Sequence, residues 1–172
     1  MSHLTTALRA ATATALMGSF ACLGTATATA DPSDALVGSL SQGYTTSNCS
    51  PQAPSEVASV FPTVVAILQC GQNADSSGPV LAKYFLFSNA TDLGSSFTKL
   101  IGSDTLTKCG DATSPTTWKP HGANDPAGQV ACGTDSGQAE VIWTTDAKYV
   151  LAFVRGPNGD VGSLYQWWQA KG

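Results

Sequence analysis

Four cysteines, spaced in two pairs, constrain this chain more than any other feature of its sequence. Cys49 and Cys70 bracket one stretch of about twenty residues, and Cys109 and Cys132 bracket another. An even number of cysteines in an exported domain reads as a disulfide framework, and four cysteines allow three connectivities. Spacing favours Cys49–Cys70 and Cys109–Cys132, with a crossed pairing left open. In the chain-entropy model a loop of this size is worth about 3 kcal/mol. A metal site has little to build on, because zinc wants closely spaced Cys and His ligands. The chain holds no Cys-x-x-Cys, and its histidines are His3 and His121 alone.

The disulfide reading requires export, and the first thirty residues supply the signal for it. Arg9 provides a weak positive start, an apolar run covers residues 10–23, and Ala28-Thr29-Ala30 forms a small-x-small cleavage site before Asp31-Pro32. The run is too short and too rich in Ala and Thr for a membrane span, which needs about 20 strongly apolar residues. A fifth cysteine, Cys22, follows the apolar run as a lipid-attachment cysteine would. Such sites carry a Leu-like residue three positions upstream, where this chain has Ser19. The expectation is a cleaved secretory signal over 1–30 and a single secreted domain over 31–172, with Cys22 leaving with the signal rather than serving as an anchor.

Loss of Arg9 leaves seven basic against twelve acidic side chains, a net charge of about −5 with His neutral. No basic cluster stands beside aromatics, so nucleic acid and anionic lipid are poor partners. The 142 residues left after removal of 30 from 172 are enough for one core.

Periodicity then assigns the elements. Residues 129–154 read as a meander of three strands, Gln129–Gly133, Ala139–Thr145 and Lys148–Val154, separated by Thr134-Asp135-Ser136-Gly137 and Thr145-Asp146. Earlier, Thr63–Cys70 and Pro79–Ser88 are apolar, β-branched or aromatic runs that form a hairpin across a polar turn. Leu93, Phe97, Leu100 and Ile101 mark one face of a helix, capped by Ser88 or Asn89. A short helix starts at Ser33, and Pro51, Pro54 and Pro62 allow at most one turn over Ser55–Val60. A last helix after Gly159-Asp160 places Leu164, Trp167 and Trp168 on one face, to pack across the sheet. Residues 102–128, with three prolines, read as loop with Leu106–Cys109 briefly extended. A stretch this long is either functional or held by the cysteine that closes it. The expected fold is α+β, a mainly antiparallel sheet of about five strands (hairpin plus meander) covered by helices and held by two disulfides.

Catalytic constellations are thin. Asp104, Asp111, Asp125, Asp135, Asp146 and Asp160 all fall in turns or loops, where Asp is at home for conformational reasons, and Glu140 starts a strand. No pair among them stands out as a raised and a lowered carboxyl. Gly-x-Ser-x-Gly, Gly-x-Gly-x-x-Gly and P-loop patterns are lacking, so no nucleophile elbow and no nucleotide cofactor is expected. Asn158-Gly159-Asp160 lacks the spacing of a calcium loop. Asn48-Cys49-Ser50 and Asn89-Ala90-Thr91 fit the glycosylation sequon, a triplet common by chance. One binding constellation remains, Trp118 with Lys119 and His121 in the long loop. An aromatic among polar neighbours can stack on a sugar or a peptide. The competing reading makes Trp118 a plug at the edge of the core, beneath the cysteine-closed loop.

Several residues also form a pattern in order. Cys70-Gly71 ends a strand, Tyr84-Phe85-Leu86-Phe87 fills the next, and the Leu93…Phe97 helix follows. Then come Cys109, Ser114-Pro115 with Thr117-Trp118, Gly128-Gln129-Val130-Ala131-Cys132, Val141-Ile142-Trp143-Thr144, and Leu164-Tyr165-x-Trp167-Trp168. The pattern resembles the small extracytoplasmic domain at the C-terminus of some actinobacterial transmembrane serine/threonine protein kinases, over roughly residues 44–168. The resemblance implies a sensor-like or ligand-binding module rather than an enzyme, and it carries over only the cysteines and tryptophans. The expected departure is a copy with neither kinase domain nor membrane helix, which cannot signal in cis. The chain is thus expected to be a secreted binding module for a cell-envelope ligand or protein partner. A secreted structural or surface-interaction protein without a small ligand is the alternative, and a secreted hydrolase the weaker third.

Overall fold

The computed structural model describes residues 31–172, so the expected signal and Cys22 lie outside the described residues. One helical turn, α1 (Asp34–Val37), opens the fold and buries Leu36; Ser33 occupies its N-cap position but makes no capping bond. Strand β1 (Cys49–Gln52) and a single 3-10 turn (Pro54–Val57) precede the hairpin of β2 (Ala66–Cys70) and β3 (Leu81–Leu86). Helix α2 (Ala90–Ile101) leads into two short strands, β4 (Thr105–Thr107) and β5 (Thr116–Trp118). The meander follows as β6 (Gly128–Asp135), β7 (Gln138–Thr145) and β8 (Val150–Arg155), and α3 (Val161–Lys171) comes last.

The hairpin, the meander and the helices stand where hydrophobic period places them. The sheet, however, has eight strands rather than about five. The additional three are β1, β4 and β5, each of three or four residues and none with an apolar run. They form because a neighbouring strand offers an unpaired row of N–H and C=O groups, and a buried backbone must satisfy them. Residues 148–149, expected as the start of β8, instead belong to a 3-10 turn and a left-handed Tyr149.

Every pairing in the sheet is antiparallel, in the order β1-β2-β3-β8-β7-β6-β4. The outer side of β6 is shared: its second half pairs with β4 and its first half with β5. Neither hairpin nor meander stands alone, because β3 pairs with β8 along six residues, from Leu81↔Arg155 to Leu86↔Val150.

Helices cover both faces. On one, Leu68, Tyr84, Val141, Trp143, Ala152 and Val154 meet α1 and the Leu164, Trp167 and Trp168 face of α3. On the other, Ile67, Phe85, Ala131, Ile142, Leu151 and Phe153 meet Phe61 and the Leu93 and Phe97 face of α2. Central strands buried on both faces lose the alternation of a half-exposed strand, which is why β7 and β8 read as nearly continuous apolar runs. Asn89 caps α2 by accepting from the Asp92 N–H at 2.9 Å. Asp160 caps α3 by accepting from the Ser163 N–H at 2.9 Å. Both caps satisfy helix-end donors that have no intrahelical partner.

The disulfides join the pairs that spacing favours. Cys49 lies directly opposite Cys70 in the β1–β2 ladder, with Cα atoms 3.9 Å apart. Cys109, just beyond β4, reaches Cys132 on β6 over 5.3 Å between Cα atoms. The second bridge is reinforced by Ser114, whose Oγ accepts from the Cys132 N–H at 2.8 Å. The loop between β4 and β5 is thereby tied to the sheet by covalent and polar bonds rather than by apolar packing.

Two glycines show opposite constraints. A Cβ on Gly133 would lie 2.7 Å from the Thr105 carbonyl oxygen, so β4 can pair there only with glycine. A Cβ on Gly94, in the exposed middle of α2, would meet nothing within 4 Å. Glycine inside a helix costs about 0.5–1 kcal/mol relative to alanine. Gly94→Ala should therefore raise the unfolding free energy by about that amount, measured by urea denaturation with disulfides intact. Gly133→Ala should lower it.

Candidate functional site

Strand β5 is what makes a site of the long loop. Its backbone pairs with the start of β6 in the register Trp118↔Gly128, and the Ala127 N–H closes the turn onto the Trp118 carbonyl at 2.9 Å. The indole N–H of Trp118 donates to the Thr144 carbonyl at 2.7 Å. The Thr144 hydroxyl accepts from the Gln129 N–H at 2.9 Å and donates to Asp146 at 2.6 Å. A knot of hydrogen bonds thus fixes the tryptophan to the end of β7. Gly128 makes this closeness possible, since a Cβ there would fall 2.1 Å from the Thr144 carbonyl oxygen.

With Trp118 fixed, residues 117–121 form one wall of an open groove of about 860 Å³, and the second half of α3 forms the other. Trp118, Lys119 and His121, singled out in the sequence, all line it. The aromatic wall continues inward. Trp118 meets Trp168 edge-on at 5.4 Å between ring centroids, Tyr165 stacks on Trp168 at 5.7 Å, and Trp168 tilts against the buried Trp143 at 5.6 Å. Such pairs contribute about 0.5–1.5 kcal/mol each beyond the area they bury. Trp118 is half-buried: it packs on the core edge and also lines the groove.

The α3 contribution, Tyr165 with Gln166 and Gln169, does not emerge from sequence reasoning about the loop. A signal was present in the helical period, because Tyr165 and Gln169, four positions apart, lie together beside the buried position 168. Its meaning depends on β5, which has no apolar pattern. Within the described residues, Trp118 and Lys119 are the only groove side chains that hydrogen-bond to protein, Lys119 donating to the Asn124 carbonyl at 2.5 Å. The Trp168 indole N–H is buried without a partner. Burial also pushes the Tyr165 phenol up from its ordinary value.

A second cluster, on the α2 face, was not foreseen. Arg155 donates through Nε to Glu140 and through a terminal nitrogen to Asp135, each at 2.6 Å. Glu140 is almost wholly buried, and Asp104, in the turn after α2, holds a buried carboxylate oxygen without a hydrogen-bond partner. Burial drives the Glu140 carboxyl up to about 7, against the pull of the Arg155 guanidinium. Asp104 is raised by burial and then by the nearby Asp135 charge. Sequence reading could not pair residues 104, 135, 140 and 155, because only the β4–β6–β7–β8 ladders bring them together. Arg155 is committed to two carboxylates, which fits a structural ion cluster better than an acid–base pair. Among the described residues, no group of three or more His, Cys, Asp or Glu is arranged to hold a metal ion. No helix there is long and apolar enough to cross a membrane. The sequon residues serve the backbone: Asn89 caps α2, and the Asn48 side chain bridges the Thr45 N–H and the Gly43 carbonyl.

No family model, curated protein or solved structure matches the chain.

Trp118→Phe keeps a ring against Trp168 but leaves the Thr144 carbonyl without its donor. The unfolding free energy should fall by about 1–3 kcal/mol, the cost of an unmade buried hydrogen bond, read as a shift of the urea midpoint. The ion cluster gives a pH signature. Glu140 and Asp104 hold their protons more tightly folded than unfolded, so both weaken stability as pH rises, Glu140 across about 4.5 to 7. Asp75 and Asp160, lowered chiefly by bonds from Lys171 and Ser163 respectively, act oppositely and lose their contribution as pH falls below the ordinary carboxyl range. The melting temperature should therefore be highest on the acidic side of neutrality, near pH 5. Glu140→Gln should flatten the decline between pH 5 and 7.

Proposed function

We propose that this protein is a secreted, non-enzymatic binding module whose ligand, from the cell envelope, occupies the groove between β5 and α3. One observation carries the reading: an aromatic-walled groove in which Gln166, Gln169, His121 and Tyr165 offer polar groups with no protein partner among the described residues. A pocket that combines apolar surface with a few convergent polar groups is the form small-ligand sites take. The expected signal sequence and the two disulfides support an extracytoplasmic setting. The resemblance to the kinase-linked sensor domains fits the same reading, with the groove as the sensing surface. A binding role also fits the groove's side chains, which include a single imidazole and no carboxylate.

Retention on isolated cell-envelope fractions of the producing organism tests this. The wild-type protein should co-sediment, and Gln166→Ala/Gln169→Ala should weaken retention about tenfold, as loss of two exposed hydrogen bonds predicts. Ser95→Ala/Thr98→Ala, on the exposed side of α2 in the opposite layer, should match wild type. Equal retention of the two double variants, or none by wild type, would overturn the reading.

A further inference from the structure

Resting on that reading, we infer that the groove's ligand is a neutral carbohydrate chain. Three features of the groove select this chemistry over others an aromatic wall could hold.

The first is what the tryptophans cannot offer. Proline-rich peptides dock in aromatic-lined grooves as preformed extended helices, and a ring N–H that reaches their carbonyls would strengthen such docking. Here the Trp118 N–H is spent on Thr144, and that of Trp168 is fully buried. The aromatic wall presents ring surface and little donor capacity. Ring surface suits the apolar C–H face of a pyranose.

The second is the mixture of donors and acceptors. Gln166 and Gln169 each carry an amide that both donates and accepts, the Tyr165 hydroxyl does the same, and Lys119 only donates. In the final turn of α3 the Trp168 and Lys171 carbonyls accept from the Gly172 and Gln42 N–H groups, which leaves those of Gln169 and Ala170 as acceptors outside the helix's own ladder. A ligand that meets such a set must donate as well as accept at several points. Sugar hydroxyls do so; a run of prolines, without N–H groups, can only accept.

The third is charge balance. The groove holds Lys119 but no carboxylate side chain, so the negative potential a cationic ligand meets is that of the C-terminal end of α3, and the Lys119 charge opposes it. A strongly anionic one meets the C-terminal, electronegative end of α3 opposite that single lysine. Neither sign is favoured, and a neutral chain is left.

Titration of the ¹⁵N-labelled protein, disulfides intact, with three probes tests the inference: chitotetraose (a neutral sugar chain), an oligogalacturonate of equal length (anionic) and decaproline. Chitotetraose should shift the side-chain amide signals of Gln166 and Gln169. Gln166→Ala/Gln169→Ala should weaken it about tenfold, and Lys119→Ala, which removes the charge and the ammonium donors, by no more than about threefold. Tighter binding of oligogalacturonate with a large loss in Lys119→Ala would overturn neutrality. Decaproline moving the groove signals in place of the sugars would overturn the carbohydrate class while leaving a binding groove intact. Silence from all three probes would overturn the inference too, and envelope retention would then decide separately whether the groove binds anything.

Discussion

The structure depends on the ladder between β3 and β8. It is the seam along which the N-terminal hairpin and the C-terminal meander become a single sheet, and at its centre Ala82, Tyr84 and Phe85 pair with Val154, Ala152 and Leu151. All six are buried. With both faces of the seam apolar, a helix on one side alone would leave the other in water. The chain meets this demand by placing α2 between the hairpin and the meander, and α3 after it, on opposite faces. Removing about 25 cal/mol per Å² of apolar surface from water drives the assembly. The disulfides lie at the two sides of the sheet, where that drive is weakest.

That division explains which parts of the fold could be read from the sequence. β2, β3, β7 and β8 carry enough buried side chains to announce themselves, and the Leu93–Phe97 and Leu164–Trp168 spacings announce α2 and α3. β1, β4 and β5 do not, because nearly all their side chains are polar or exposed. Their strand character belongs to the neighbouring ladder. Thr116–Trp118 becomes a strand because β6 has a free edge opposite it and because Gly128 lets the chains approach. Local propensity is a weak guide where the partner decides.

The groove inherits the same asymmetry. Trp118, Lys119 and His121 could be picked out as an aromatic among polar residues in an irregular stretch. Their partners on α3 could not, since Tyr165, Gln166 and Gln169 look like the ordinary flank of an amphipathic helix. The tertiary fact that joins them is one hydrogen bond, from the Trp118 indole to the Thr144 carbonyl, with the hydroxyl of Thr144 gathering Gln129 and Asp146 around it. A backbone carbonyl is an acceptor at every position, so no sequence pattern marks this one.

The two polar constellations sit on different faces of the sheet, and the alternation of β7 is the reason. Glu140 and Ile142 point toward the α2 layer, whereas Val141 and Trp143 point toward α3. Glu140, Arg155 and Asp135 thereby gather under the end of α2, where burial and carboxylate crowding govern their protonation. Trp143 supports Trp168, and through it the aromatic wall of the groove. Protonation of the ion cluster consequently acts on the α2 layer and the β4 edge, and it reaches the groove only through the shared strands. The sheet keeps this carboxylate cluster away from the face with exposed aromatic surface.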